Sequence, residues 1–535
     1  MIKFVFIILI AFLLLCIKTS AQHDQYQFLR IGTENGLSHN RINCILKDSK
    51  GFMWFGTMSG LNRYDGYKFR IFRHDVRDST SLIDDYISKI MEGPDGKLWI
   101  ETRSGLNIFD PETETFIRNP QSYLNALSLP DAFISNIIKD KNGNYWLIHP
   151  QYGLFMYSSA THLITQYDIH SKNTSGLYGN NISAFSEDSK GNFWILYQDG
   201  YIEKMDGRSH SIIYRSSVLK DFNKKEILNY TLFIDAQDEL WIYVAENPRG
   251  VYYFNPVANT LLPVNTKDGK TRLNTDIVTG ILQDKQGNIW IGTDHGGINV
   301  LDKKDFTIRY LMNNPDDNRS LSQNVIISMY KDNSGIIWVG TYKQGLNYYN
   351  ENGIKFSLYK HQLSDPKSLS YDDVNRFAED DLGNLWIGTN GGGLIYFDRK
   401  KGKFYQFLHN PEDPNSLSND VIVGLYIDHQ KKLWIGTYYG GLDCYDGKSF
   451  RHFKHNALDP RSIADDKVWE IFEDSGKNLW IGTLVGGLDM FDREKNIFYH
   501  HISADKKSVS SDMIFALFED REGDFWIGTM GGIDV

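Results

Sequence analysis

The sequence predicts an all-β protein, a β-propeller of about eleven tandem blades, and three observations carry that prediction. Eleven of the 12 tryptophans recur at spacings of 45 to 49 residues: Trp54, Trp99, Trp146, Trp194, Trp241, Trp290, Trp338, Trp386, Trp434, Trp480 and Trp526. Each interval holds four short β-rich runs joined by Gly/Asp turns of hairpin length, the composition of a propeller blade. No stretch keeps a 3.6-residue apolar period for three turns, which excludes helical solenoids.

The chain opens on a targeting signal. Lys3 supplies a positive start, Phe4 to Ile17 is an unbroken apolar run, and Thr19-Ser20-Ala21 offers small residues before Gln22. As a helix that run reaches only ~21 Å, short of a ~30 Å hydrocarbon core, so residues 1–21 read as a cleaved signal peptide rather than an anchor. No later segment is apolar enough to span a bilayer. The formal net charge is -10, which repels phosphate and argues against a nucleic-acid partner. Cys44 and Cys444 lie 400 residues apart, so neither a disulfide nor a cysteine metal site is expected. No cofactor is expected either.

The repeat is clearest around Trp290. Ile277 to Asp284 is an apolar run ending in the turn Lys285-Gln286-Gly287. Asn288 to Thr293 follows, then the turn Asp294-His295-Gly296, then Gly297 to Asp302 and Phe306 to Met312. The tryptophan reads as a bulky wedge between neighbouring blades. The glycine of Trp-Ile-Gly-Thr, as at Gly292 or Gly436, lets the adjacent blade approach. Gly-Gly pairs such as Gly296-Gly297 and Gly440-Gly441 read as turns needing positive φ. Asp-x-x-Gly turns, as at Asp332 to Gly335, lack the glutamate of a calcium-binding EF-hand loop and read as hairpins.

A His-x3-Asp-x2-Ser pattern recurs at His74/Asp78/Ser81, His361/Asp365/Ser368, His409/Asp413/Ser416, His455/Asp459/Ser462 and His501/Asp505/Ser508, with Asn313 before Asp317/Ser320. His, Asp and Ser together suggest a catalytic triad. Recurrence in blade after blade, and an Asn that cannot act as a base, argue for a loop brace. No catalytic residue is assigned.

Repeats of the form Asp-x-x-Gly-x-x-Trp-Ile-Gly-Thr-x-x-Gly-Gly-Leu, together with the opening Asn35-Gly36-Leu37-Ser38-His39-Asn40, resemble the two-component regulator propeller repeats of Bacteroidetes-type hybrid two-component sensors. The resemblance covers residues 24 to 535. It implies a periplasmic sensor region, two seven-bladed propellers in the full-length family, an oligosaccharide ligand and a homodimer. The histidine kinase and regulator domains of that family have no counterpart in these residues, so the chain reads as a truncated sensor region without enzyme activity. The fold expected is one complete seven-bladed ring, residues 22–353, followed by an incomplete second propeller, 354–535, with blades 8–11 and the last cut short. Tyr26 to Ile31 would complete the seventh blade, and Phe356 to Lys360 would be the matching strand of the second propeller.

Propeller ligands sit on the face bearing the turns between second and third strands. Repeats two to five replace the usual glycine-rich turn there with Glu101 to Ser104, Ile148 to Tyr152, Leu196 to Asp199 and Tyr243 to Arg249. Hydrogen-bonding groups and aromatic surface suit a sugar. The candidates are Arg103, His149, Tyr152, Tyr197, Asp199 and Arg249, with Asp294, His295, Tyr342 and Lys343 on the same face; simple drift of the early blades is the competing reading. A protein-interaction scaffold is the second functional class. A quinoprotein-like enzyme is the third, disfavoured because no adjacent cysteine pair is present.

Overall fold

The computed structural model describes residues 26–130, 133–170, 176–267, 271–353, 358–362 and 365–535. The signal peptide expected at 1–21 lies outside them. So does part of the strand expected at Phe356 to Lys360, and its remaining residues 358–360 are in no strand. The chain divides into two compact units, Tyr26–Lys355 and Phe356–Val535.

The first unit holds seven four-stranded antiparallel sheets, numbered here in chain order. Sheet 6 is representative, with strands Val278–Gln283, Ile289–Thr293, Ile298–Asp302 and Thr307–Leu311. Its second strand is buried at every residue, whereas its fourth is mostly exposed. That gradient is what stacked sheets produce: the inner strands have a neighbour on both faces and the outer strand meets water. The first strands lie beside those of the next sheet in sequence, and that of sheet 7, Ile326–Lys331, returns to Ile42–Lys47 of sheet 1. Sheet 7 takes its fourth strand from the chain start: Leu29–Ile31 pairs with Leu346–Asn350, Arg30 opposite Asn347. Phe28 and Tyr26 continue this clasp by packing edge-on against Trp290 of sheet 6.

The second unit holds three four-stranded sheets, 8 to 10, and a three-stranded sheet 11, Ile514–Glu519, Phe525–Thr529 and Gly532–Asp534. Among the described residues helix is confined to short turns such as Gln121–Ala126 and Val218–Phe222.

The repeat residues do what their spacing suggests, and more. Trp54 meets Phe109 of sheet 2 at 5.3 Å, Trp146 meets Phe193 of sheet 4 at 4.7 Å, and Trp434 meets Phe491 of sheet 10 at 5.5 Å. The hairpin aspartate six residues earlier also accepts the indole N–H, as in Asp48–Trp54 at 2.7 Å, Asp284–Trp290 at 3.1 Å and Asp474–Trp480 at 2.8 Å. It thus closes the turn and satisfies a buried donor at once. Where Gly93 replaces that aspartate, the Trp99 N–H loses this carboxylate partner. Where Lys204 takes Asp188, at 2.6 Å, the Trp194 N–H has no acceptor among the described residues.

The glycine of Trp-Ile-Gly-Thr leaves little room for a side chain where a following sheet packs on it. A Cβ on Gly436 would stand 2.8 Å from Val468 of the next sheet, and one on Gly482 2.7 Å from Ile514. In the Gly-Gly turns only the second glycine has positive φ, 64° at Gly297 and 81° at Gly441. The first is excluded from bearing a side chain by crowding instead: a Cβ on Gly296 would meet Thr293 Oγ1 at 2.6 Å.

The third strand carries a brace that periodicity does not reveal. Asn62, Asn107, Asn299 and Asn347 are fully buried and accept the backbone N–H of Ser38, Ile83, Asn274 and Ser322 at 2.9–3.0 Å. Asp443, Asp489 and Glu203 hold the same place towards Ser418, Ala464 and Tyr178. A buried carboxylate needs a partner, and each has one: His452 Nδ1 at 2.6 Å, His500 Nδ1 at 2.6 Å and Arg215 Nε at 2.7 Å.

Candidate functional site

The turn between second and third strands shares a face with the connections between sheets. The N–H of its glycine bonds the incoming connection directly, as in Gly60 to Asp85 O at 2.7 Å, Gly297 to Asn324 O at 2.9 Å and Gly345 to Asn40 O at 2.8 Å. Those connections are built by the His/Asp/Ser pattern. His74 Nδ1 reaches Leu82 O at 2.6 Å and His409 Nδ1 reaches Leu417 O at 2.6 Å, while Asn313 Nδ2 donates to Leu321 O at 2.7 Å. An amide does the imidazole's work, so the role is a donor to a carbonyl rather than a proton acceptor. His501 departs from the pattern despite its spacing. It ends the strand Ile497–His501, its ring lies 5.6 Å from Trp480, and Ser503 N–H bonds the Asp512 carboxylate in its place.

The ten residues singled out for ligand contact separate into two groups. His149 and Tyr197 are buried, 1% and 2% exposed, which corrects their reading as ligand contacts. His149 Nδ1 accepts the N–H groups of Gln151 and Tyr152 at 3.1 and 3.2 Å, holding its turn as Thr57 Oγ1 holds Ser59 N–H at 3.0 Å. Tyr197 donates its hydroxyl to the buried Glu203 at 2.5 Å; burial pushes the phenol far up, and the Glu203 charge adds to it. Their types suggested recognition, but both close their second strands, where neighbouring sheets enclose the side chain.

The other eight reach solvent, from six different turns. Arg103 stacks on Tyr86 at 4.9 Å, and Tyr152 lies 4.6 Å from the His149 ring. Arg249 makes a bidentate pair with Glu226, 2.8 Å to each oxygen. His295 Nδ1 is 2.7 Å from Asp294. Tyr342 lies beneath the Arg41 guanidinium at 4.7 Å and beside the Lys343 ammonium at 5.3 Å.

Asp199 belongs to the most developed cluster on this face. It accepts Lys220 Nζ at 2.9 Å and the Tyr178 hydroxyl at 2.8 Å. Burial opposes its ionisation, but hydrogen bonds from Lys220, the Tyr201 N–H and Tyr178 outweigh that and hold its carboxyl below the usual range. Lys220 also contacts the Tyr178 hydroxyl, and those two bonds push its ammonium above the ordinary lysine value. Tyr178 and Tyr201 stack with centroids 4.0 Å apart, and Tyr178 is 42% exposed. The result is an aromatic platform edged by one fixed anion and one fixed cation. Tyr178, Tyr201 and Lys220 were not among the sequence candidates. The readable signal was the missing His/Asp/Ser brace between sheets 4 and 5, where Val218–Phe222 forms a helical turn that delivers Lys220.

Comparison with known proteins agrees with this architecture. Residues 36–59, 272–295, 320–343, 368–391, 416–439 and 508–531 match the family described as two component regulator propeller. A histidine kinase of Formosa agariphila, histidine kinase P4, is 38% identical over 73 residues, 14% of this chain. The matched stretch spans only 5% of that kinase. The extracellular domain of a hybrid two component system from B. thetaiotaomicron aligns with a TM-score of 0.59 at 22% identity, over 95% of this chain and 70% of that one. A second such domain from the same organism aligns with a TM-score of 0.44 at 21% identity, over 95% and 65%. The repeated four-stranded sheets make this chain a β-propeller protein, and six of its segments are similar to two component regulator propeller repeats.

Proposed function

We propose that this chain is the extracytoplasmic sensing region of a two-component system and that it binds an oligosaccharide on the face described above. One solved structure with this fold is the extracellular domain of such a system, and the apolar start of the chain reads as an export signal. Among the described residues no helix is long and apolar enough to cross a membrane. The observation that carries the ligand reading is the Tyr178–Tyr201 stack flanked by Asp199 and Lys220. A pyranose presents a C–H face to an aromatic ring and hydroxyls to charged edges, and this cluster offers both where one turn meets the two connections beside it. In this reading the region passes the binding event to kinase domains of the same system.

Isothermal titration of the purified chain against defined oligosaccharides tests the proposal. Tyr201→Ala removes half of the platform and should weaken the binding of a recognised sugar at least fivefold. Asp199→Asn, which keeps the shape but not the charge, should weaken it less. A bound sugar whose affinity neither change alters would remove this cluster from the site.

A further inference from the structure

The remaining tryptophan, Trp469, falls outside the repeat positions. It stands on the first strand of sheet 10, Val468–Glu473, at the bulge between Val468 and Glu470. Bulged residues are re-aimed out of the ladder, and at three of the equivalent positions they latch one sheet to the next. Asn43, Ser183 and Asn375 each donate from that position to a carbonyl on the next sheet, Ile87 O at 2.8 Å, Tyr230 O at 2.9 Å and Ile422 O at 3.0 Å. Trp469 gives up this latch. Its indole is partly buried, and its N–H has no acceptor among the described residues. One edge of the indole packs against Phe515 of sheet 11, with ring centroids 6.3 Å apart, and the rest of it borders an open cleft.

Trp469 lines a cleft of about 340 Å³ with Asn375, Arg376, Val423, Asn390 and Tyr438, within the ~300–1,000 Å³ range of small-molecule sites. Asn390 and Tyr438 follow the second strands of sheets 8 and 9, so the cleft opens on the turn-bearing face of the second unit. The Arg376 guanidinium lies 6.0 Å from the indole centroid and 3.5 Å from Glu470 Oε2. Asn390 Nδ2 is held by Asp373 at 2.9 Å. The cleft therefore combines an apolar plane, a free indole donor and planar amide and guanidinium edges. The one cation is already paired, and a second carboxylate stands nearby, so an anionic ligand meets repulsion.

We propose that this cleft is a second recognition site that takes a neutral sugar ring, stacked on Trp469 and hydrogen-bonded by Asn390, Arg376 and Tyr438. It deepens the carbohydrate reading above and rests on it. The test is titration of the purified chain with cellohexaose, xylohexaose, mannohexaose, laminarihexaose and oligogalacturonate. Affinity for a neutral hexasaccharide should fall at least tenfold in Trp469→Ala and less than threefold in Trp469→Phe, with both variants melting as the parent does. If Trp469→Ala binds normally while Tyr201→Ala weakens binding, the second site is overturned and the first-unit reading stands. Binding of oligogalacturonate alone overturns the neutral-sugar assignment. Binding of none of these sugars overturns both readings.

Discussion

Replacing Trp290 with Ala tests the physical account of the ring most directly. The side chain is fully buried between sheets 6 and 7, 5.6 Å from Tyr349 and 5.1 Å from Tyr26 of the clasp. Emptying such a site costs ~3–5 kcal/mol, and Asp284, itself buried, loses the N–H it accepts at 3.1 Å. The first unit spans roughly 330 residues. At ~2.1 cal/mol/K per residue its unfolding entropy is about 0.7 kcal/mol/K, so the substitution should lower Tm by roughly 4–7 °C. Scanning calorimetry reads this, with Trp469→Ala as the matched control, since that partly exposed indole beside an open cleft is predicted to leave Tm within ~1 °C. Because Tyr26 and Phe28 pack on the same ring, the loss should also loosen the clasp, visible as faster amide exchange at Leu29 to Ile31. A Trp290→Ala shift no larger than that of Trp469→Ala would refute the wedge reading.

Four further outcomes follow from the same geometry. Each of His452 and His500 sets Nδ1 against a buried aspartate at 2.6 Å and Nε2 against a proline carbonyl, of Pro414 at 3.0 Å and Pro460 at 2.8 Å. Only imidazolium donates to both, so the bond to the aspartate raises each imidazole above its ordinary value, and burial raises Asp489 as well. The stabilisation is complete below the unfolded histidine value of ~6.5 and is lost as pH rises through the higher folded value. Tm should therefore fall from pH 6 towards alkaline pH, and a His452→Gln/His500→Gln double variant should show a shallower fall; an equal slope would contradict the pairing. Burial pushes the Cys44 thiol up to about 12 and the Cys444 thiol up to about 11, so neither should react with a disulfide reagent at pH 8 until the chain is denatured. Gly436→Ala should cost ~1–3 kcal/mol in denaturant titrations, because the new Cβ meets the Val468 backbone oxygen at 2.8 Å. Gly292→Ala should cost less, since its nearest neighbour is the flexible Met329 sulfur.

The fold was largely legible because a propeller is a local pattern written many times. Tryptophan spacing set the blade length, hairpin turns marked the strands, and each was confirmed by repetition within one chain. The strands expected around Trp290 match those observed to within a residue at most ends. The site was less legible, because residue type does not report burial. His149 and Tyr197 carry the chemistry of recognition, yet they end second strands and are enclosed, whereas Tyr178 and Lys220 lie in connections with no repeated signature. His501 shows the same limit: its spacing matches the loop brace, but the chain there keeps to the strand for longer.

What the sequence determined by itself is whatever depends on neighbours in the chain: strand length, hairpin turns, the Gly of Trp-Ile-Gly-Thr and the brace shared by His and Asn. What only the tertiary structure decided depends on residues far apart meeting. Leu29–Ile31 becomes the outer strand of sheet 7, Asp443 and Asp489 find the histidines that neutralise them, and Trp469 joins residues of sheets 8 and 9 in one cleft. Periodicity encodes the unit. The surface proposed to face a ligand is made where units differ, and those differences acquire meaning only once the sheets are stacked side by side.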